Sequence, residues 1–564
     1  GEIYNYLELR HELIKLDYKF FSNSDTEVIL AGCLVWGIEK TLKKLEGMFA
    51  FAFYDIKKNS LWLARDPMGI KPLYFSNMGD KFVFASELNP ILSFDFVDKS
   101  INKDSLFSYF RYGYVPSPFS IFKNIKKLQA GNYLLFEKGK ILIQSFWDHE
   151  KVSNEKNRLK PNTLSLNEYT NLIENELMKS VKSHMQSDVP YGAFLSGGID
   201  SSTVVALMQA QSQKPVNTFS IGFKERAHDE SKFASAVAKH LGTNHNEIII
   251  SPSDAIPILM ESSKYFDEPF ADNSVIPTYL VSKFARNSVK VCLSGDGGDE
   301  LYGGYPRYFW AKRIENFRKL SPLFSRLCGN ILSSIPTPVL NKYIDPILGY
   351  RFSGAEGLSH RVDRLAKYLK VSRNLVYQEL TPYWSDPVTL LNIKKYNKIG
   401  NDNISYSNLS WSEEMMLIDQ QYYLQDNILT KLDRTSMAVS LEARVPFLTH
   451  KMVELSWQIP TTMKFENNSD RGKLILRKLL ERYIPKNMID RPKQGFGLPL
   501  NSWLRGPLRD WVESIFEKNK IEESGLNNSL VRKIWKQQLD GKNSQEKIWS
   551  IIMYMQWHKR IFRL

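Results

Sequence analysis

Ser196-Gly197-Gly198-Ile199-Asp200-Ser201-Ser202 stands directly behind the apolar run Tyr191–Leu195 and directly ahead of the helical run Val204–Met208. A buried strand, a glycine turn and a helix in that order make an anion cradle. The glycines let the backbone turn tightly and approach a ligand, and the helix offers free N–H groups and the positive end of its dipole. The loop lacks a Lys-Ser/Thr ending, so γ-phosphate hydrolysis of the Walker type is not the expected reaction. Asp200 adds a carboxylate suited to holding magnesium against a pyrophosphate.

Around this loop the pattern is that of a parallel sheet. Apolar runs at 191–195, 216–223, 247–250 and 289–293 alternate with helical stretches, which predicts an α/β unit. The fourth run leads into a second glycine-rich loop, Ser294-Gly295-Asp296-Gly297-Gly298-Asp299-Glu300. In open α/β sheets ligands bind at the carboxyl edge, so both loops should line one crevice. Upstream, Ser165 and Glu168 have capping-box spacing, and Tyr169, Leu172, Ile173, Leu177, Val181 and Met185 share one helical face. From Trp310 onward the pattern is mostly helical with proline breaks.

Further upstream the chain changes character. Residues 151–164 are polar and carry Pro161, which reads as a linker between a unit at 1–150 and a unit at 165–564. The first unit is β-rich: Met48–Tyr54 and Leu61–Ala64 flank the polar turn Asp55–Ser60 as a hairpin, with further strands expected at 73–75, 81–85 and 133–136. At 564 residues the chain is long enough for at least two cores.

Bulk composition excludes several classes. Cys33, Cys292 and Cys328 are too few and scattered for a disulfide framework or zinc cluster, which points to a reducing, cytoplasmic setting. No run of about 18 apolar residues suggests a membrane span. The net charge of +14 comes from dispersed lysines rather than a basic tail or an aromatic-basic module, so no nucleic-acid partner is expected.

Together, 196–202 and 294–300 resemble the signature loops of the glutamine-hydrolysing asparagine synthetases. Gly1-Glu2-Ile3-Tyr4-Asn5, Ser24-Asp25-Thr26-Glu27, Gly47–Phe51, Arg65-Asp66-Pro67, Gly69–Tyr74 and Ala85-Ser86-Glu87 are similar to that family's N-terminal glutaminase. Ser436–Ala438, Leu441–Phe447 and Lys493-Gln494-Gly495-Phe496 fit its C-terminal half. The resemblance implies an α+β glutaminase of the Ntn type, built from antiparallel sheets and helices, followed by an α/β pyrophosphate-loop domain with a helical C-terminal part. It further implies that ATP activates the side-chain carboxylate of aspartate as an acyl-adenylate, and that ammonia from glutamine then yields asparagine, AMP and pyrophosphate. Another carboxylate, such as a sugar uronate, is an alternative acceptor, and an ATP-binding paralogue without turnover is a further one.

Carried over residue by residue, the resemblance implies that Ser196, Gly197, Gly198, Asp200, Ser201 and Ser202 hold pyrophosphate. Phe194, Leu195, Ile221, Ser294 and Gly295 meet adenine, and Asp200 and Asp299 hold Mg2+. Asp296 stands where the family often has glutamate and would organise adenylate formation or accept a proton from ammonia; Lys493 would neutralise the departing pyrophosphate. Gly1, Glu2 and Asp25 match the glutamine pocket. The family's nucleophile is an N-terminal cysteine; because the sequence opens at Gly1, inside a motif, the start of that domain is expected to be missing. Cys33 and Cys292 read as packing residues. Glu442 and Arg444 are expected to form a structural ion pair. The acceptor pocket is placed among helices without a motif near 426–434, and a homodimer is an expected assembly.

Overall fold

The computed structural model describes residues 1–79, 81–154, 164–223, 229–335, 358–394, 396, 406, 408–466, 471–490 and 497–562. In the first part of the chain, β1 (Glu2–Ile3) pairs with β2 (Gly47–Met48). One antiparallel sheet has β3 (Ala50–Asp55), β4 (Ser60–Arg65), β8 (Asn132–Glu137) and β9 (Lys140–Ser145) in the order β3-β4-β8-β9. A second has β5 (Tyr74–Met78), β6 (Lys81–Ala85) and β7 (Lys126–Lys127) in the order β6-β5-β7. The expected hairpin is β3-β4, with Asp55 opposite Ser60.

Period-two alternation builds the layers. Leu63 and Leu134 point to the second sheet and meet Leu73, Phe75 and Leu128. Their neighbours Ala64 and Tyr133 point the other way, into a core with Leu9, Leu13, Val28 and Leu42 from three helices. The order is therefore helices, sheet, sheet. Strand β9 was not anticipated; its side chains are mostly exposed, so it lacks the apolar alternation that marks a strand.

Past the expected linker, of which residues 155–163 lie outside the described residues, the helix Leu166–His184 opens with the Ser165–Glu168 capping box. Its buried face carries Tyr169, Ile173, Leu177 and Val181, whereas Leu172 is 40% exposed and does not belong to it. Then come β10 (Tyr191–Phe194), β11 (Asn217–Phe223), β12 (Asn244–Ile250), β13 (Val291–Leu293) and β14 (Glu442–Arg444), all parallel, in the order β12-β11-β10-β13-β14. Strand order reverses between β10 and β13, the place at which an open α/β sheet splays its loops apart and takes a ligand. The fifth strand, β14, was not foreseen, because it is short and arrives from within the helical part. There Trp411–Ile418, the π-helical stretch Asp419–Leu429 and Thr430–Met437 run on from one another.

Buried and partly buried polar contacts join the two parts. Ser117 donates to Asp426 from both N and Oγ at 2.7 Å, Lys71 pairs with Asp433 at 2.8 Å, and Arg444 reaches Glu2 at 3.3 Å. Two buried histidines lie along this seam. His184 packs on the Tyr4 ring with centroids 3.9 Å apart, and His149 lies 3.3 Å from the amide of Gln425. Burial depresses both to about 3. A lowered histidine makes the unfolded chain bind more protons between the folded value and the ordinary 6.5, so stability falls as pH drops through that window. Going from pH 7 to pH 5 should remove about 2 kcal/mol per histidine. Denaturant unfolding at the two pH values, repeated on His149→Gln plus His184→Gln, checks this: the change in stability from pH 7 to pH 5 should be less unfavourable in the double variant than in the wild type by about 4 kcal/mol.

Candidate active site

The first loop is held by its own hydroxyls. Leu195 N donates to Phe219 O at 2.9 Å, continuing the sheet by one step. Ser201 Oγ receives Ser196 N at 3.3 Å, and Ser196 Oγ receives Gly198 N at 3.2 Å. Gly197 has φ +70°, and a Cβ there would meet the backbone of Phe233 and Ala234 at 2.7 Å. The helix Ile199–Gln211 follows, buried from Ser201 through Met208. Its N-terminus is thus fixed at the sheet edge.

The second loop docks on the first. A Cβ on Gly295 would lie 2.6 Å from Ser201 N, and one on Gly298 2.5 Å from the Asp200 carboxylate. Contact this close needs glycine, which is why the 294–300 stretch is so rich in it. Asp296 accepts from Ser294 Oγ at 2.6 Å. It touches the cavity, but its surroundings are dry enough that burial raises its pKa, with Lys431 as the main charge acting in the opposite sense. Glu300 is 1% exposed and accepts from Tyr305 Oη at 2.7 Å; burial, then the Asp299 charge, pushes it up to about 7.

Asp200 and Asp299 share a partner that sequence reasoning missed. Lys473 Nζ pairs with Asp200 and lies 2.7 Å from Asp299 Oδ1. Burial opposes its charge, but the two carboxylates outweigh burial and hold the ammonium well above its ordinary value. Lys473 has φ +58° and precedes the helix Leu474–Leu480. Its segment packs on the chain after the second loop: Lys473 N donates to Tyr302 O at 3.3 Å, and a Cβ on Gly304 would lie 1.8 Å from Asp299 Oδ1.

These groups line one cavity of about 1410 Å³. It gathers Phe194, Leu195, Ser196, Gly197, Gly198, Asp200, Ser201, Ser202, Ile221, Ser294, Gly295, Asp296 and Asp299, all singled out in the sequence. Lys493 lies outside the described residues. Gly1, Glu2 and Asp25 form a separate group: Asp25 accepts Ile3 N at 3.0 Å, β1 aligns Glu2 with Met48, and the Glu2 carboxylate turns to Arg444. Arg444 also bonds Glu442 at 2.6 Å and the carbonyls of His184 and Gln186, so it clamps the two parts together. Cys33 and Cys292 are buried and burial raises both thiols, as packing residues require.

Oxygen donors suit Mg2+, which typically takes one or two carboxylates and completes its shell with water and phosphate oxygens. Asp200 and Asp299, close enough to share one ammonium and open to the cavity, are such a set. Among the described residues no group of three or more His, Cys, Asp or Glu is arranged to enclose a metal without phosphate.

Two family models match the chain. The asparagine synthase family model matches residues 172–559, and the glutamine amidotransferase domain model matches residues 1–147. Asparagine synthetase [glutamine-hydrolyzing] 1 of Bacillus subtilis is 31% identical over 99% of this chain and 84% of its own length. A putative asparagine synthetase [glutamine-hydrolyzing] 2 of Methanocaldococcus jannaschii is 36% identical over 79% of this chain and 82% of its own. A solved structure titled as the allosteric regulatory enzyme of purine biosynthesis overlaps 45% of this chain and 59% of its own at 15% identity with a TM-score of 0.20, too loose to inform the fold. No helix among the described residues is long and apolar enough to cross a membrane. With an Ntn-type amidotransferase fold ahead of a pyrophosphate-loop sheet, and both family models matched in order, the chain belongs to the asparagine synthase family.

Proposed function

We propose that this protein joins ammonia to the side-chain carboxylate of aspartate at the expense of ATP, with glutamine as nitrogen donor. The reading takes residues 1–150 as the amidotransferase unit and 165–564 as the synthetase unit, joined through 151–164. The observation that carries it is the meeting of both loops at the sheet's switch point, with Asp200, Asp299 and Lys473 in one cluster in the cavity wall.

In this mechanism a carboxylate oxygen of aspartate attacks the α-phosphorus of ATP, the α–β anhydride bond breaks, and pyrophosphate leaves. Ammonia then attacks the acyl carbon, AMP departs with the bonding electrons, and one proton is shed. Ser196 to Ser202 cradle the pyrophosphate with backbone N–H groups, and Phe194, Leu195, Ile221, Ser294 and Gly295 enclose the adenine. Asp200 and Asp299 would hold Mg2+, which when bound offsets charge on the phosphates. Lys473, together with Lys493, neutralises the leaving group. Asp296, with its raised affinity for a proton, accepts the proton that the attacking ammonia loses. Positioning and charge neutralisation are the main demands, since an adenylate already has a good leaving group. Gly1, Glu2 and Asp25 contribute to the glutamine pocket.

A second reading replaces aspartate by a bulkier carboxylate such as a uronate. Under either reading the cavity of about 1410 Å³ takes ATP together with the acceptor, so the assay decides between them. Pyrophosphate release from ATP and magnesium with ammonium, with and without aspartate, separates the two. Aspartate-dependent release with one asparagine per pyrophosphate by mass spectrometry is expected. Release that ignores aspartate and responds to a uronate would overturn the aspartate assignment.

A further inference from the structure

One surface helix has its sides reversed. In the helix Pro322–Ser334 the buried residues are the small Ser325 and Gly329. Ser325 Oγ donates to Leu369 O at 3.0 Å, and a Cβ on Gly329 would lie 3.0 Å from Ala366 O, so this side packs on the helix Leu358–Lys370. Leu323, Phe324, Leu327 and Ile331 are instead 78%, 55%, 55% and 56% exposed. At about 100° per residue these four fall within one arc of about 100°. A helix on a protein surface ordinarily turns such a stripe toward the core. Phe324 meets Phe317 of the preceding helix, Pro306–Leu320, with ring centroids 6.1 Å apart, which helps to set the rotation. Trp310, also exposed, lies about two turns before Phe317. None of these residues lines the cavity.

Positive charge borders the stripe. Exposed Arg326 stands about 60° round the helix from Leu323, and on that side Lys370 donates to Ser333 Oγ at 2.6 Å. From Pro306 to Ser334 the chain has six Lys or Arg and one acid, Glu315, which is buried and pairs with Lys319 at 3.1 Å. A second copy of the chain is a poor occupant. A two-fold contact through this helix would bring Arg326 and Lys370 of both copies together, and four side chains fall well short of the roughly 20–30 residues a side of a stable interface. An anionic bilayer meets both features: its acyl boundary takes a convex apolar stripe without a matching groove, and its phosphates answer the cations.

From this arrangement we infer that the helix Pro322–Ser334 docks the protein on a membrane surface containing anionic lipid, with Leu323, Phe324, Leu327 and Ile331 at the acyl boundary and Arg326 and Lys370 among the headgroups. The attachment is peripheral: the helix lies in the plane of the interface and does not cross it. The inference goes beyond the amidation reading and does not rest on it, since it holds whichever carboxylate is amidated.

The test is flotation of the full chain with vesicles of phosphatidylglycerol and phosphatidylcholine in equal parts, and with vesicles of phosphatidylcholine alone. Three proteins are compared: the wild type, Leu327→Ser plus Ile331→Ser, and Arg326→Gln plus Lys370→Gln. The wild type should bind the mixed vesicles at least about tenfold more tightly than the neutral ones, and added salt should weaken that binding. The serine pair, which leaves the net charge alone, should lose at least about tenfold in affinity for the mixed vesicles. The glutamine pair should lose about fivefold for each charge removed. Absence of binding by the wild type, equal binding to the two compositions, or wild-type-like binding by the serine pair would each overturn the docking surface. If melting shows that the serine pair does not fold, the glutamine pair still decides: undiminished binding there would also overturn it. Sedimentation equilibrium without lipid covers the other occupant, because a dimer that the serine pair dissociates would assign the stripe to a second copy and remove the membrane from it.

Discussion

Lys473→Met is expected to lower acceptor-dependent pyrophosphate formation by about two to three and a half orders of magnitude, with KM for the acceptor changing far less than kcat. The lysine is buried between Asp200 and Asp299 and bonded to both. Removing one partner of a buried ion pair leaves uncompensated charge and costs about 3–5 kcal/mol, and each 1.36 kcal/mol is about a tenfold change in rate when the lost contact serves the transition state. The same deletion leaves two carboxylates facing each other, so the variant should melt lower than the wild type and recover part of that loss on adding magnesium. Steady-state kinetics and melting with and without magnesium check both limbs. Wild-type kcat in the variant would remove Lys473 from the proposed mechanism.

Gly304→Ala should cost about a hundredfold in kcat while leaving the fold intact. A Cβ at this position would lie 1.8 Å from Asp299 Oδ1 and 2.3 Å from Lys473 Cε. Neither group can remain in place, and a displacement of about 1 Å in a reacting constellation costs roughly 10²-fold. Gly304 is not among the glycines with positive φ, so the effect is one of space and not of backbone strain. Gly242→Ala is the control: its φ is +71°, nothing lies within 4 Å of the added carbon, and it stands at the C-terminal end of the helix Ser231–Leu241 and does not itself line the cavity. It should lose about 1 kcal/mol of stability, as a strained left-handed alanine does, and keep its activity. Kinetics and denaturant unfolding of the two variants side by side give the comparison.

Both loops were legible because their signal is local. In each a strand, a glycine turn and a helix start adjoin in sequence, so Ser196–Ser202 and Ser294–Glu300 announce themselves within a few residues. The Ser165–Glu168 capping box and the β3-β4 hairpin were legible for the same reason. Lys473 had no such signal. It stands 273 residues from Asp200, and a lysine before a helix is ordinarily a solvated charge. Only the packing of Gly472 and Lys473 against Gly303 and Gly304 turns it inward.

What the sequence by itself determined is the class of fold: antiparallel sheets with helices ahead of a parallel sheet, two glycine-rich loops at the carboxyl edge of that sheet, and the carboxylates those loops carry. Periodicity and turn chemistry act between near neighbours, and one sequence suffices to read them. What only the tertiary structure decided is which distant charges complete the site and how the units are fastened. β14 brings Arg444 to Glu2, and the helix Thr430–Met437 sends Asp433 to Lys71 while directing Lys431 to Asp272. Those pairings depend on burial. A charge becomes decisive when desolvation forces it to find a partner, and desolvation is a property of the packed chain.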